Sequence, residues 1–536
     1  MKNLADFLAG LSTHRKEEEE EHLEEIDEQR CLSCGFDLSS SELYRRYRVC
    51  EQCRFHYNLS ARERTDLLAD SGTFKETNRS LTSLDPLSFS SKTPYRKHIF
   101  EAQARTGLID AAVTGLCTIG GKPVVLIVLD FGFMGGSMGC VVGEKIALAF
   151  ETAIRKKLPV VSVVASGGAR IQEGVLSLMQ MAKTVAAAKR HNAAGLPFVS
   201  VLSNPTTGEA YASFANAGDI ILAEPHALVG FAALRVVEQA TGKPLPAGSH
   251  TAESHLERGM LDAVVDRTKL KELLGLLLEL TSSRYRLTSL KRGEHYSLPE
   301  LPKESAWQTV QLARHGQRPT ARDYICRITS SFVELRGDRV YGDDAAIVCG
   351  LGDLGGQAAV IIGQERARID EATPYHYRRV YPEGFRKAQR AMRLAAKFAL
   401  PLITLIDTPG AYQGIEAEER GMGAAISSTM ALMSDLPVPV ISVVIGEGGS
   451  EGALALGVAD RILMLENAIY FVISPEWAAS LLFRDVNKAE EVTSALRVTA
   501  HDCKKLGVVD RVLLEPEGGA HVDHDEAARL LKRFLL

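Results

Sequence analysis

Apolar runs that end in glycine-rich turns form the dominant pattern of this chain, and the pattern occurs twice. The first series begins with the run 158–164, and its counterpart begins with the run 400–406. Pro401 follows Pro159 by 242 positions, and the later motifs keep nearly the same separation. Such steady spacing between irregular motifs predicts a duplicated domain.

The apolar runs are rich in Val, Ile and Leu and do not alternate with polar residues, which is typical of strands buried on both faces of a sheet. Alanine-rich segments of helical character lie between them. Alternating strands and helices predict layered α/β domains with right-handed crossovers. Further strands are predicted at 111–117, 123–129, 345–351 and 358–362, and helices at 145–157, 173–194 and 384–398.

The length of 536 residues exceeds what one hydrophobic core supports, so several domains are expected. Composition divides the chain into a charged helical lead-in, a cysteine-rich module, two α/β domains and a charged, proline-containing linker between these domains. In chain order we place the lead-in at 1–29, the module at 30–54, the first α/β domain at 55–290, the linker at 291–320 and the second α/β domain at 321–536.

Overall composition excludes several classes of protein. The net charge of −5 gives no global basic field for nucleic acid. No apolar run reaches the length of a transmembrane helix and the opening residues lack a signal-peptide pattern, so we expect neither membrane insertion nor secretion. Nine cysteines are few for this length and fit the reducing cytoplasm.

Four of the cysteines have the spacing of a metal site. Cys31, Cys34, Cys50 and Cys53 make two CxxC pairs separated by 15 residues. Each pair can turn two thiolates toward one cation, and two pairs complete a tetrahedral zinc site. A redox role needs only one CxxC pair. Because four sulfur ligands leave no open coordination position, we expect structural zinc (Zn2+) in a zinc ribbon.

The zinc ribbon is also locally basic, through Arg45, Arg46, Arg48 and Arg54. We interpret these arginines as a solvated face, so nucleic acid is not an expected partner. Contact with nucleic acid or with a phosphorylated ligand is the alternative interpretation.

The glycine-rich turns are the candidate chemical sites. Glycine lets backbone N–H groups approach a ligand, and the helix that follows each turn adds partial positive charge. Such turns can bind an anion or the oxygen of an enolate formed from a thioester. A plain strand-to-helix turn is the alternative for any one of them. The turns lack the motifs of a phosphate-binding P-loop, a dinucleotide fold and a serine hydrolase.

Several long motifs stand at these turns. Behind the zinc ribbon come Asp-Phe-Gly-Phe-Met-Gly-Gly-Ser-Met-Gly at 130–139, Ala-Ser-Gly-Gly-Ala-Arg at 165–170 and Ala-Glu-Pro-His-Ala-Leu-Val-Gly-Phe at 223–231. The second domain carries Ile-Asp-Thr-Pro-Gly-Ala-Tyr at 406–412 and Ile-Gly-Glu-Gly-Gly at 445–449. In content and order these motifs resemble the carboxyltransferase component of bacterial acetyl-CoA carboxylase, with its β subunit fused to its α subunit.

The resemblance implies an α/β fold with two duplicated crotonase-like (ClpP/crotonase) domains, 55–290 being β-subunit-like and 321–536 α-subunit-like. It implies transfer of a carboxyl group from carboxybiotin, on a biotin carboxyl carrier protein, to acetyl-CoA or a related short acyl-CoA. Malonyl-CoA would form through an enolate held by backbone N–H groups. Biotin carboxylase is a further expected partner. A homodimer of fused chains is the expected assembly, with the acyl-CoA between unlike halves of different protomers.

The resemblance also assigns site residues. The catalytic positions are those expected to hold the enolate oxygen and the biotin oxyanion, namely Gly208, Glu209, Glu451 and Gly452. The substrate-binding positions lie in the neighbouring motifs and are Gly135, Gly136, Gly167, Gly168, Arg170, Phe231, Arg235, Gly410, Ala411, Tyr412, Gly448 and Gly449.

Two of the catalytic positions depart from the family. The family usually has Gly-Gly where this chain has Gly208-Glu209, and Ser-Gly-Gly where it has Ser450-Glu451-Gly452. If these positions need positive φ, each glutamate is expected to cost about 1 kcal/mol or more in backbone strain. A carboxylate that faces a developing oxyanion would also oppose catalysis.

These departures leave alternatives beside plain carboxyl transfer to acetyl-CoA. One is a carboxyltransferase with a changed acyl substrate. Another is a biotin-independent acyl-CoA decarboxylase, hydratase or isomerase in which Glu209 or Glu451 acts as general acid or base, with a pKa raised by an apolar pocket. A further one is a weakly active paralogue that binds acyl-CoA, a carboxylase partner or nucleic acid.

Overall fold

The structure is a computed structural model that divides into two compact units, 1–57 and 58–536. It describes residues 30–90, 93–231, 248–282, 304–366 and 379–536, with Val237, Lys243 and Pro246. The predicted lead-in, the first part of the predicted linker (291–303) and Arg235 lie outside the described residues. The domain boundaries given above stay predictions.

The first unit contains the zinc ribbon. Each CxxC pair lies in a knuckle closed by one β-bridge, Arg30 to Asp37 for the first and Val49 to His56 for the second. Helix α1 (Glu42–Tyr47) connects the knuckles. The small core consists of Cys31, Leu38 and Cys50, with Phe36, Tyr44, Cys53, Phe55 and Tyr57 packed against it. A core of this size is too small to hold a chain folded without a further cross-link.

The first half of the second unit is built on an eight-stranded sheet. Its strands are β1 (Lys75–Thr77), β2 (Ala112–Ile119), β3 (Lys122–Leu129), β4 (Val160–Ser166), β5 (Phe198–Thr207), β6 (Ile220–Ala223), β7 (Val229–Gly230) and β8 (Ala263–Val264). Their order is β1-β2-β3-β4-β5-β6-β8, and β7 pairs with the end of β5. The first three strands are antiparallel neighbours, and the pairs from β3 onward are parallel.

The second half repeats this topology. Its strands are β9 (Ser331–Leu335), β10 (Ile347–Leu354), β11 (Gln357–Gln364), β12 (Leu402–Thr408), β13 (Val440–Gly449), β14 (Arg461–Leu465), β15 (Ile469–Phe471) and β16 (Arg511–Leu513). Their order is β9-β10-β11-β12-β13-β14-β16, with β15 paired to β13. Each strand of the first sheet has its counterpart in the second, so the predicted duplication is confirmed.

Helices cover the sheets. In the first half they are α2 (Ala61–Leu68), α3 (Tyr95–Thr106), α4 (Cys140–Lys156), α5 (Val175–Ala193), α6 (Gly208–Tyr211), α7 (Ala252–Glu257) and α8 (Arg267–Ser282). In the second half they are α9 (Ala306–Ala313), α10 (Ala321–Ile328), α11 (Pro382–Phe398), α12 (Ile415–Glu419), α13 (Met422–Ser434), α14 (Ser450–Leu454), α15 (Pro475–Phe483), α16 (Ala489–Leu496), α17 (Ala500–Lys505) and α18 (His524–Leu535). None of the helices that the structure describes has both the length and the apolar composition needed to cross a membrane.

Strand burial explains the apolar runs of the sequence. Every residue of β4 and of β12 is buried, because helices cover both faces of each sheet. The strands β5 and β13 continue past their apolar runs, to Thr207 and Gly449, because their ends pair with β7 and β15. This pairing carries each central strand into its glycine-rich turn.

The two halves share one core. Helix α8 contacts β2 and β3 of its own sheet and also β10 and β11 of the other. One hydrophobic cluster contains buried residues of both halves. Ion pairs reinforce the junction: Asp262 binds Arg390 at 2.7 Å and also binds Arg339, and Lys397 lies 2.6 Å from Asp219. The halves therefore form a single packed body.

Candidate active site

Glycine-rich segments meet at the carboxyl ends of β3 and β4 in the first half. The loop after β3 carries Gly135 and Gly136, and the turn after β4 carries Gly167 and Gly168. The Gly167 N–H donates to the Gly135 carbonyl at 2.8 Å. A Cβ on Gly136 would lie 2.1 Å from the carbonyl oxygen of Ala165, so only glycine fits there. The loop and the turn therefore form one continuous backbone surface.

The turn after β4 also touches the turn after β5. Gly208 has a φ of +61°, and a Cβ on it would lie 3.0 Å from the Cα of Gly168. Gly208 opens the short helix α6, and the first amides of a helix have no acceptor within it. Backbone N–H groups are thus concentrated where the two turns meet, an arrangement that can stabilise an oxyanion.

Glu209 extends its carboxylate into this contact. Its Oε2 accepts the N–H of Ala169 at 2.6 Å. A Cβ on Gly168 would lie 2.7 Å from the same oxygen. The side chain is half-buried. The carboxylate therefore accepts the hydrogen bond of one backbone N–H group of the turn after β4, that of Ala169.

The matching turns of the second half are packed even more closely. The loop after β12 contains Gly410 and Ala411. Gly449 is the last residue of β13, and Gly452 lies in the first turn of α14. A Cβ on Gly449 would lie 2.4 Å from the carbonyl carbon of Pro409, and one on Gly452 would lie 2.4 Å from the nitrogen of Ala411. A side chain at either glycine would force the loop away from the turn.

Glu451 is placed differently from Glu209. It is exposed, and its Oε2 accepts a hydrogen bond from the hydroxyl of its neighbour Ser450. Among the contacts of the described residues, its carboxylate accepts no backbone N–H of the turn. The same departure from the family therefore has a different structural result in each copy.

The expectation of backbone strain at the two glutamates was wrong. Positive φ falls on the preceding residue in each copy, on Gly208 at +61° and on Ser450 at +53°. Glu209 and Glu451 lie in the first turn of the short helices α6 and α14, where the backbone is helical. The strained residue is therefore Ser450, which carries a side chain in the left-handed region.

Arg170, one of the predicted substrate-binding positions, has its side chain inside the protein. The guanidinium is fully buried and binds both carboxylate oxygens of Asp110, at 2.8 and 3.0 Å. It also donates to the Ser137 carbonyl at 2.9 Å. Burial opposes the charged form, but Asp110 outweighs burial and raises the pKa of Arg170 above its ordinary value. The Arg170 side chain therefore holds the turn after β4 in place from the protein interior.

The other predicted binding residues lie around the turns. Phe231 directly follows β7 and is 72% exposed. The Tyr412 ring stacks on Tyr381, with ring centroids 4.4 Å apart. A Cβ on Gly448 would lie 2.7 Å from the ring of Tyr470, so the lack of a side chain at this position leaves room for the ring. The structure thus groups the predicted residues into one set per sheet, and no hydrogen bond joins the two sets in the described parts of the chain.

Sequence reasoning missed a charge network around the buried Glu447, near the end of β13. Glu447 is 2% exposed, and its backbone N–H donates to Asp407 at 2.9 Å. Its carboxylate lies 2.6 Å from Arg314, which also lies 2.6 Å from Glu476. Burial raises the pKa of Glu447, and Arg314 opposes this rise. Glu447 lies inside the motif at 445–449. Arg314 lies in the predicted linker, where nothing in the sequence indicated a role at the site.

A cavity of about 420 Å³ opens beside Ala169. The sequence did not predict this cavity either, because α3 lies in a segment without a strong hydrophobic pattern. Its walls come from α3, the loop after β3 and the turn after β4, and include His98, Glu101, Arg105, Ser137, Ala169 and Ile171. A larger cavity of about 880 Å³, between α9 and residues 514–519, contains none of the predicted site residues.

The cysteines of the zinc ribbon are arranged as metal ligands. The four sulfur atoms lie within 4.8 Å of one another. The Sγ atoms of Cys31 and Cys53 are 3.6 Å apart, and those of Cys34 and Cys50 are 3.7 Å apart. A tetrahedral site with Zn–S bonds of about 2.3 Å has S···S distances of about 3.8 Å. The four thiolates therefore fit a metal ion of this size.

Solved structures share this fold. A crystal structure of transcarboxylase 12S, in complex with methylmalonyl-coenzyme A and methylmalonic acid, matches with a TM-score of 0.70 and 22% identity, over 89% of this chain and 88% of that one. A single-chain, multi-domain long-chain acyl-CoA carboxylase matches with a TM-score of 0.68 and 21% identity, over 88% of this chain and 45% of that one. The two sheets of this chain therefore have the same fold as these two proteins.

Sequence relatives are much closer. Residues 288–536 match the family model described as acetyl co-enzyme A carboxylase carboxyltransferase-like. The acetyl-coenzyme A carboxylase carboxyl transferase subunits beta/alpha of Clostridium tetani are 44% identical over 95% of this chain and 88% of that protein. Those of Saccharopolyspora erythraea are 42% identical over 94% of this chain and 89% of that protein. The chain therefore belongs to the acetyl-coenzyme A carboxylase carboxyltransferases, as a member whose beta and alpha parts form one polypeptide.

Proposed function

We propose that this chain transfers a carboxyl group from carboxybiotin, presented by a biotin carboxyl carrier protein, to acetyl-CoA or a related short acyl-CoA. The observation that carries the proposal is the paired glycine-rich turns at equivalent strand ends of both sheets. Each pair concentrates backbone N–H groups, which stabilise oxyanions. Carboxyl transfer to an enolate needs two oxyanion sites and no protein nucleophile, which suits two such turns.

The β-like turns are assigned to the acyl-CoA. A thioester oxygen between Gly168 and Gly208 would accept the first backbone N–H groups of α6, and these bonds strengthen as negative charge develops on the oxygen. The amides of Gly167, Gly168 and Ala169 already donate to other groups of the protein. The strands beneath are buried and keep water away from one side of the site. Stabilisation of the enolate oxygen makes removal of the thioester α-proton easier, so these turns lower the barrier to enolate formation.

The α-like turns are assigned to biotin. Carboxybiotin, when bound, supplies the carbon dioxide and the base for the thioester α-proton. The role of the protein is to bind the oxygen of the biotin ring through backbone N–H groups. These groups lie where Gly449 and Gly452 pack against Gly410 and Ala411. The ion pair between Arg314 and the buried Glu447 supports this turn.

We further propose a homodimer in which the β-like turns of one chain face the α-like turns of another, with the acyl-CoA between them. Exposed apolar side chains follow both sets of turns: Phe231 after β7 is 72% exposed, and Val472 after β15 is 75% exposed. On the next helix, α15, Trp477 and Leu481 are also more than 60% exposed. Exposed apolar patches of this kind mark interfaces. The carrier protein and biotin carboxylase are the further partners.

The metal of the ribbon is proposed to be Zn2+, held by Cys31, Cys34, Cys50 and Cys53 in a structural role. The support is the all-sulfur donor set with nearly tetrahedral S···S distances. Such a site needs reduced thiolates, so we expect the protein to work in the cytoplasm.

The purified chain, mixed with carboxybiotinylated carrier protein and acetyl-CoA, should form malonyl-CoA, which mass spectrometry detects. Replacing Gly452 by Ala should reduce product formation by about 100-fold or more, because the new Cβ would displace the Ala411 amide. Gly423 is the matched control, since a Cβ there meets nothing within 4 Å. The Gly423→Ala variant should keep the activity of the unmodified chain.

Failure to carboxylate any short acyl-CoA would refute this function. Turnover of an acyl-CoA without the carrier protein, lost in Glu209→Gln, would establish the general acid–base alternative in its place. Product formation that the Gly452→Ala change leaves intact would contradict the assignment of the α-like turn.

A further inference from the structure

The two glutamates at matching positions differ in what they contact. Glu451 is exposed, and its carboxylate binds only the neighbouring Ser450 hydroxyl among the described contacts. Glu209 is half-buried, and its carboxylate bridges from α6 to the Ala169 amide at 2.6 Å. Only the β-like side therefore holds a fixed negative charge between its two turns.

Among the residues that the structure describes, this negative charge has no neutralising cation. Within the described parts of the chain, no lysine, arginine or histidine forms an ion pair with Glu209. Arg170 is next to Ala169 in sequence, but its guanidinium is fully buried behind the turn and binds both oxygens of Asp110. The backbone N–H of Ala169 holds the carboxylate, but this donor carries no net positive charge.

We propose that Glu209 is a specificity-determining residue that disfavours acyl groups carrying their own carboxylate. The site would then favour neutral acyl-CoA substrates over carboxylated acyl-CoAs, its own product included. This inference rests on the proposed function for the assignment of the acyl group to the β-like turns.

The physical argument is repulsion at short range. A thioester oxygen that binds between Gly168 and Gly208 brings its acyl group beside the Glu209 carboxylate, because that carboxylate lies directly over Gly168. A neutral acetyl group has no net charge to repel. A malonyl group adds a second carboxylate in a half-buried site, where repulsion between like charges exceeds its value in water. The product should therefore bind more weakly than the substrate and leave readily.

Calorimetric binding of acetyl-CoA and malonyl-CoA to the full chain tests this inference. We expect the unmodified chain to bind malonyl-CoA about tenfold more weakly than acetyl-CoA, because the two like charges repel each other in a half-buried site. In Glu209→Gln the two dissociation constants should agree within about twofold, through tighter binding of malonyl-CoA. Glu272→Gln, which alters an exposed carboxylate on α8, should keep the ratio of the unmodified chain.

A second readout separates this role from a purely structural one. In Glu209→Gln, the inhibition constant of malonyl-CoA should fall about tenfold relative to the KM for acetyl-CoA. Glu209→Ala should show the same shift in ratio and serves if the Gln variant does not fold.

A ratio near one in the unmodified chain, or a ratio that both Glu209 variants leave unchanged, would overturn the inference. Because binding needs no carrier protein, the two proposals can fail separately. A chain that shows the expected ratio but makes no malonyl-CoA contradicts the proposed function alone. A chain that carboxylates acetyl-CoA without the expected ratio contradicts the role of Glu209 alone, and a chain that binds neither ligand contradicts both.

Discussion

At the scale of single residues, the site is defined by positions that exclude a side chain. Gly136, Gly449 and Gly452 have backbone atoms within 2.1 to 2.4 Å of where a Cβ would stand. Gly208 has a positive φ and contacts Gly168. Ser450 is the exception, because it occupies the matching position to Gly208 and keeps a Cβ in the left-handed region. The fold therefore tolerates strain in one copy that glycine removes in the other.

Replacing Ser450 by Gly should raise the free energy of unfolding by about 1 kcal/mol, because glycine adopts a φ of +53° without the Cβ penalty. Urea unfolding of the purified chain measures this change. Ser427→Gly is the control, since Ser427 lies within helix α13 and is exposed. That change should lower the free energy of unfolding by about 0.5 kcal/mol. Equal destabilisation by both changes would show that Ser450 is not strained.

Sequence could identify the glycines but not what the charged residues contact. A glycine in a turn after a buried strand carries its own local signal, and so does a glutamate that interrupts a glycine pair. The bond from Glu209 to Ala169 has no such signal, because it joins positions 40 residues apart through the crossover between two parallel strands. The direction of the Arg170 side chain depends in the same way on Asp110, which is 60 residues distant.

At the scale of elements, strands were predicted better than the segments between them. The apolar runs fixed the central strands, and the helices at 145–157, 173–194 and 384–398 were found with their ends shifted by up to five residues. The helix α9 was missed, because it lies in a charged segment that was interpreted as a linker. Its C-cap residue Arg314 reaches the buried Glu447, so this segment supports the α-like turn.

Arg314→Met should destabilise the protein by about 3 kcal/mol, because it leaves the Glu447 carboxylate buried without its cation. Calorimetric unfolding measures the loss. The double change Arg314→Met with Glu447→Gln should recover most of the stability, since it removes the unpaired charge. Arg327→Met is the matched control: its partner Asp525 is 89% exposed, so the cost should stay below about 1 kcal/mol. A similar loss in both single variants would contradict a special role for Arg314.

At the scale of the whole molecule, the duplication was readable because both copies kept the same strand spacing. The sequence did not predict that α8 contacts both sheets. A helix with two apolar sides must be covered on both, but its sequence does not show which sheet covers each side. Ion pairs across the junction, such as Asp262 with Arg390, also join residues far apart in the chain. The zinc ribbon was predicted from ligand spacing alone, and its sulfur atoms do converge.

Removing the metal should unfold the zinc ribbon and leave the two sheets folded, because the ribbon and residues 58–536 are separate compact units. Plasma mass spectrometry should find about one zinc ion per chain, and Cys50→Ser should abolish binding. Cys326→Ser is the matched control, since Cys326 is exposed and outside the cluster. Protease should cleave residues 30–57 rapidly after chelation. Full zinc content in Cys50→Ser would disprove the assigned ligands.

The position of α8 between the two sheets has a consequence for synthesis of the protein. The first half leaves the ribosome before β10 and β11 exist, so the side of α8 that packs on them is briefly without cover. A second half on the same chain arrives at an effective concentration of the order of millimolar and in equal number. Gene fusion therefore limits the time in which an unpaired first half can aggregate, whereas separate genes would have to match their output.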